Sequence, residues 1–304
     1  MSKILVIGSL NMDFVIEVDQ MPKKGETIFG KNIKLVPGGK GANQAYSVGK
    51  LGGEVSMIGA VGDDVYGKAL ISSLESVGVN TSGIKVIKDE PTGNAFITVD
   101  RDGDNSIIVV AGTNNCVTKE MIDHNIALID DCDSVVMQLE IPLETVEYAA
   151  CIAREKGKRV ILDPAPAPQY LPENLIKNVN IMKPNETELQ TLTGMQTETR
   201  EQVITAAKVL IDKGVEMVIV TLGEKGSILV SKEEVIAVES ERVVAVDTTA
   251  AGDCFTAAFT VALTQGKSYE EAVKYGNKVS AIVVTRKGAQ ASIPTADEVE
   301  QLYK

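Results

Sequence analysis

Short apolar, β-branched runs alternate with helix-patterned segments from the first residues almost to the last, and that leaves few folds open to this chain. KILVIG at 3–8, SMIGAV at 56–61, SVVMQL at 134–139, RVILD at 159–163, VNIMK at 179–183 and MVIVTLG at 217–223 have the length and apolar continuity of strands buried on both faces. Between them, spacings of three and four mark helices, as in Ala42, Ala45, Tyr46 and Gly49, and again in Ala272, Val273, Gly276, Val279, Ser280 and Val283. The alternation predicts an α/β fold with a mostly parallel central sheet and helices on both faces. At 304 residues the chain exceeds the usual domain size, but α/β folds of this length are often one large domain with an insertion. One domain over 1–304 is expected.

Two regions break the rhythm. Residues 13–36 and 92–110 read as hairpin strands with Gly, Pro and Asp-Gly turns, and neither brings a helix to cover it. They predict a small β-sheet that projects from the main domain as a lid over a ligand.

Charge narrows the partners. With 42 acidic against 30 basic residues the net charge is −12, which argues against nucleic acid or an anionic membrane as a partner. No stretch reaches the roughly 18 apolar residues of a membrane span, and the first apolar run is too short for a secretory signal. The four cysteines (Cys116, Cys132, Cys151, Cys254) form no C-x-x-C pair and no metal spacing, so reduced thiols in a cytoplasmic protein are expected. The single histidine, His124, lies on a polar-faced segment, which removes histidine-based triads and zinc schemes.

Ligands of open α/β sheets sit beyond the carboxyl ends of the strands. Here those ends carry polar residues: Asn11 and Asp13 in GSLNMD, Gln138 and Glu140, Asp163, KPNETE at 183–188, then Thr221 and Gly223. Each alone reads equally well as a turn or a helix cap; as a set they predict one shared rim. PGGKGANQA at 37–45 places glycines where backbone must approach a ligand and open a helix, without the spacing of a dinucleotide fingerprint or a Walker loop. VDTTAAGDCFTAAF at 246–259 opens an apolar helix at Gly252–Asp253, whose first amides favour an anion. Asp253 stands there as a candidate general base, or as a plain helix cap. Cys254 beside it reads as a small buried filler.

GGKGANQA at 38–45 and DTTAAGD at 247–253, with NMD, MQLE, KPNETE, VTLGEKG and VTRKGAQAS, together resemble the ribokinase-type carbohydrate kinase family over essentially the full chain. The resemblance implies ATP-dependent phosphorylation of a sugar's primary hydroxyl, with D-ribose and its 5-hydroxyl the leading expectation and Mg²⁺ on the nucleotide. It implies sugar contacts from Asn11, Asp13, Gly39, Lys40, Asn43 and Glu140, with Asp253 as base and the amides of Ala250, Ala251, Gly252 and Asp253 as an anion hole. It implies a nucleotide and Mg²⁺ site from Asn185, Glu188, Thr221, Gly223, Gly226, Gly252 and Asn277. A monovalent cation, K⁺, is implied at Asp247, Thr249, Val283, Arg286, Gly288 and Ser292, and a homodimer through the lid. Cys254 replaces the usual Thr, Tyr46 a small residue, and TAAGD the commoner GAGD. Kinases for deoxyribose, fructose, pseudouridine or another nucleoside share the frame. A sugar-binding regulator without catalysis is the reading from another class.

Overall fold

The computed structural model describes residues 3–303. Strand β1 (Lys3–Ile7) opens the main sheet, after which β2 (Asn11–Glu17) and β3 (Asn32–Gly38) leave it. The chain returns with β4 (Glu54–Gly62) and β5 (Asn80–Ile87), and leaves again with β6 (Gly93–Val99) and β7 (Asn105–Val110). It then completes the main sheet with β8 (Ser134–Met137), β9 (Arg159–Leu162), β10 (Ile181–Met182), β11 (Met217–Thr221), β12 (Ser227–Ser231) and β13 (Val235–Val238). The order is β13-β12-β11-β10-β9-β8-β1-β4-β5. Every pair from β11 to β5 is parallel, whereas β12 and β13 join by antiparallel pairing.

Alternation along the strands divides the core in two. Ile4, Val6, Met57, Val136 and Ile161 pack one way, against Phe255 and Phe259 of the helix Ala251–Thr264. Leu5, Ile7, Ile58, Val135, Met137 and Leu162 pack the other way, against helices such as Leu143–Glu155 and Arg200–Asp212. Strands covered on both faces have to be apolar at every position, which is why they read as unbroken runs.

The second sheet is separate, with the order β3-β2-β6-β7. The two hairpins are joined along β2 and β6, which run parallel, while β3 and β7 flank them antiparallel. Its strands reach two residues further toward the main sheet than expected, so that Asn11 and Gly38 are paired at its root. Neither hairpin segment carries a helix, and a helix from the main domain touches the sheet at its side. Tyr66, on the helix Val65–Glu75, packs edge-on against Phe14 of β2 at 5.4 Å.

Strands β5, β12 and β13 were not expected. β5 and β13 are edge strands with mixed burial, and β12 follows its predecessor by a hairpin, so no crossover helix announces it. Conversely, VNIMK contributes only Ile181 and Met182 to the sheet. Among the described residues no helix is long and apolar enough to cross a membrane.

Candidate active site

The glycines of GGKG let three pieces of backbone meet. Gly39 has φ 87°, a left-handed conformation that only glycine adopts without strain, and the helix Lys40–Lys50 begins directly after it. A side chain at Gly38 would collide with the Asp13 carboxylate, and one at Gly41 would stand 2.6 Å from the backbone of Gly8 and Ser9. The turn therefore lies flat against the end of β1. Ser9 Oγ and the Lys40 amide both donate to Glu140 Oε2, at 2.6 and 3.1 Å, which ties this turn to the end of β8. Asn11 is 3 % exposed, and its Oδ1 accepts from Asn114 Nδ2 at 2.7 Å. That bond commits the Asn11 carbonyl and leaves its amide hydrogens for a ligand. Asn11 and Asp13 sit on β2 of the small sheet rather than on a main-sheet strand, on one face as their spacing requires.

Asp253 lies in the first turn of the helix Ala251–Thr264 and is 6 % exposed. Its Oδ2 accepts from Asn43 Nδ2 at 3.1 Å and its Oδ1 from Gln44 Nε2 at 3.2 Å. Burial pushes its carboxyl up to about 6, against the pull of Lys40. Burial also pushes Asp13 up to about 7, helped by the charges of Glu140 and Asp253. Burial pulls the Lys40 ammonium down, but Asp253, Asp163, Glu140 and Glu188 outweigh it and hold it above its ordinary value. Ala250 precedes the helix at φ 61°, and the Ala251 amide donates to the Thr248 carbonyl at 3.2 Å. Gly252 and Asp253 are thus the amides at the helix start that an anion would meet, since first-turn N–H groups have no partner within a helix.

Beyond Asp253 the site opens into a cavity of about 1090 Å³. Lys40, Ala250, Ala251, Gly252 and Asp253 line one end. Asn185, Glu188, Thr221, Gly223, Gly226 and Asn277 line the remainder, with apolar surface from Val243, Ala245, Ala281 and Val284. Asn185 and Glu188 form a capping box at the start of the helix Glu186–Thr193, each side chain accepting from the other's amide at 2.8 Å. Burial raises the Glu188 carboxyl, against the nearby Lys183. Asn277 accepts from Ser227 and donates to the carbonyls of Val238 and Glu239, so its amide holds the cavity wall together.

The third expected set forms its own cluster behind the helix start. Asp247 accepts from Thr249 N and Oγ1 at 2.9 and 2.6 Å through one oxygen, and from Gly288 N at 2.8 Å through the other. Arg286 donates to the Ser292 carbonyl and to Glu298, and the Val283 carbonyl accepts from the Arg286 amide. None of these six residues lines the cavity; their neighbours Thr248 and Val284 do.

Asp163 is a rim residue as expected, but the groups that hold it and the site from behind had no role assigned from the sequence. Lys183 is 5 % exposed, 3.3 Å from Asp163 and 3.4 Å from the Gly252 carbonyl. Asp163 also accepts from Gln44 and Thr256. Gln44, Lys183 and Thr256 all stand inside the quoted motifs, Thr256 about one helical turn after Asp253. Asn114 lies far from any motif. Cys254 is fully buried with its thiol pushed up to about 12 by burial, as a filler should be. Tyr46 packs against the core rather than into the cavity. His124 is exposed.

The sequence matches the family described as pfkB family carbohydrate kinase over residues 1–296. It is 42 % identical over 293 residues to a ribokinase of Haemophilus influenzae, covering 96 % of this chain and 95 % of that one. It is 39 % identical over 298 residues to a deoxyribokinase of Salmonella typhimurium, with 98 and 97 % covered. The fold superposes on Arabidopsis thaliana ribokinase complexed with ribose and ATP with a TM-score of 0.94 at 38 % identity, covering 100 % of this chain and 99 % of that one.

Proposed function

The chain belongs to the pfkB family of carbohydrate kinases, and on that premise we propose ATP-dependent phosphorylation of D-ribose at its 5-hydroxyl, giving ribose 5-phosphate and ADP. The observation that carries the reading is the position of Asp253. It touches Asn43 of the sugar set on one side and lines the large cavity of the nucleotide set on the other. A carboxylate between two substrates, pushed up to about 6, is a base strong enough to take a hydroxyl proton and still ionised at neutral pH. As that proton passes to Asp253 the hydroxyl oxygen bonds to the γ-phosphorus, and the bond to the β,γ-bridging oxygen, which leaves with ADP, breaks. The amides of Gly252 and Asp253, with Lys40, meet the charge that spreads over the phosphoryl oxygens. Ribose hydroxyls would be fixed by Asn11, Asp13, Asn43 and Glu140. Asn43 Oδ1 is buried without a protein partner, and a sugar hydroxyl satisfies it.

Among the described residues no cluster of acidic, His or Cys groups could hold a metal ion by itself. Mg²⁺ would be a nucleotide-borne ion that neutralises phosphate charge, and Asn185 and Glu188, which line the cavity, are the residues that would hold it through water. Asp247 and the main-chain carbonyls around Val283 and Ser292 are hard oxygen donors with a single formal charge among them, which suits K⁺. The frame is read as one kinase domain over 1–304, with 13–36 and 92–110 as the lid and as the contact of a cytoplasmic homodimer.

The test is ADP release from Mg-ATP with K⁺ across D-ribose, 2-deoxyribose, fructose, adenosine and pseudouridine, repeated with a large organic cation in place of K⁺. Ribose is expected to give the highest kcat/KM, with lower rates when K⁺ is replaced. Because a deoxyribokinase is as similar as several ribokinases, preference for 2-deoxyribose would move the assignment within the family. Ribose binding without ADP release would point to a sugar-binding regulator.

A further inference from the structure

Two carboxylates are buried side by side in this site, and one amide joins them. Asp163 and Asp253 are 2 and 6 % exposed, and Gln44 Nε2 donates to Asp163 Oδ2 at 2.9 Å and to Asp253 Oδ1 at 3.2 Å. An amide nitrogen carries two hydrogens, so each carboxylate receives one. Gln44 Oε1 in turn accepts from Gln138 Nε2, and Gln138 is fully buried at the end of β8. Turning the Gln44 amide over would set its oxygen against two carboxylates and its nitrogen against another donor. Its orientation is therefore dictated by chemistry. Asp163 is itself anchored by Lys183 at 3.3 Å and by Thr256.

We infer that Gln44 is a positioning residue for phosphoryl transfer, holding Asp253 by one oxygen while Gln138 and Asp163 hold Gln44 and Lys183 holds Asp163. The inference rests on the reading of Asp253 as the base. A carboxylate gripped at both oxygens, by Asn43 and by Gln44, keeps a fixed direction for accepting the sugar proton, and fixed geometry is what such a transfer needs. Each N–H donated to the ionised form also favours that form. The charged groups bearing on Asp253 are Lys40, Lys183 and Asp163, with Asp13 across the sugar pocket. Removing Gln44's donors takes away the one amide that bonds both Asp163 and Asp253, leaving two like charges tempered only by Lys40 and Lys183.

The experiment compares Gln44→Met and Asp253→Asn in the full chain, reading kcat, KM for ribose, ribose affinity by calorimetry, and the pH profile from about pH 5 to 9. Gln44→Met is close to isosteric and keeps the core filled. The expected result is kcat lower by about 10- to 100-fold, the worth of one hydrogen bond to a charged group, with ribose affinity nearly unchanged. The acid limb of kcat should move up by about one pH unit. Parental kcat and acid limb in Gln44→Met, or a raised KM alone, would overturn the inference while a dead Asp253→Asn left the base reading intact. Normal turnover in Asp253→Asn would remove both. If Gln44→Met does not fold, Gln138→Leu frees the Gln44 amide without touching either carboxylate. The same upward move of the acid limb is expected there, and an unmoved limb counts against the inference.

Discussion

A carboxylate buried beside other carboxylates costs stability while no cation or donor offsets its charge. Asp13 shows the cost: burial, with Glu140 and Asp253 nearby, pushes it from the ordinary 3.8 up to about 7. Between those values the native state binds more protons than the unfolded chain, so this group's contribution to stability falls as pH rises from about 4 to about 7. Above about 7 both states are ionised and the loss is complete. Asp13→Asn removes the charge at nearly constant volume. Its melting temperature is expected to pull ahead of the parent's between pH 5 and pH 8 by about 2 °C or more, while KM for ribose rises. Calorimetric scans of both proteins across that range check the sign; a constant gap would contradict it. Asp13 and Glu140 stand out in the sequence as polar residues at strand ends and Asp253 as the start of an apolar helix, but their coupling does not, because it needs β2, the end of β8 and the helix Ala251–Thr264 brought together.

Among the elements, the helix Lys40–Lys50 delivers most to the site, since Lys40, Asn43 and Gln44 all come from its first two turns. Its placement depends on Gly41. An added methyl there would sit 2.6 Å from the Gly8 carbonyl carbon and the Ser9 amide nitrogen, both backbone and unable to step aside. Gly41→Ala should push the helix away from β1, destabilise the protein by about 1–3 kcal/mol as overpacking does, and raise KM for ribose. Chemical denaturation with steady-state kinetics measures both, and parental values in each would show that the close approach is not needed. The helix and its glycines were legible from GGKGANQA. Which backbone they lie against was not, because the contact crosses from residue 41 to residue 8. NETE was legible in another way: as a sequence it marks a helix start equally well, and the structure shows that capping box at Asn185 and Glu188.

At the scale of the whole molecule, the small sheet is the unfinished part. Leu35, Phe14, Phe96 and Ile108 fall in register across its four strands, so they share a face. Leu35, Phe96 and Ile108 on that row are exposed, as are Ile33, Ile107, Val109 and Val110. Apolar surface of this kind marks an interaction site in a stable protein, in keeping with the proposed homodimer. Ile108→Lys is expected to convert a dimer to monomers in sedimentation velocity and to raise KM for ribose; a monomeric parent would end the proposal. What the sequence determined by itself is whatever depends on local order: the α/β alternation, the extended hairpins, the apolar helix after DTTAAGD, and the residue types of the rim. Periodicity and turn chemistry are properties of neighbours in the chain. Tertiary structure decided the rest: the joining of two distant hairpins into one sheet, the antiparallel edge at β12 and β13, and the chain of Gln138, Gln44, Asp163 and Lys183 behind Asp253. The first and the last of these link residues tens to hundreds of positions apart, whereas β12 and β13 join by short hairpins and are tertiary only in the place they take at the sheet edge; in both cases the packing of the sheet sets the distances at which a hydrogen bond can form.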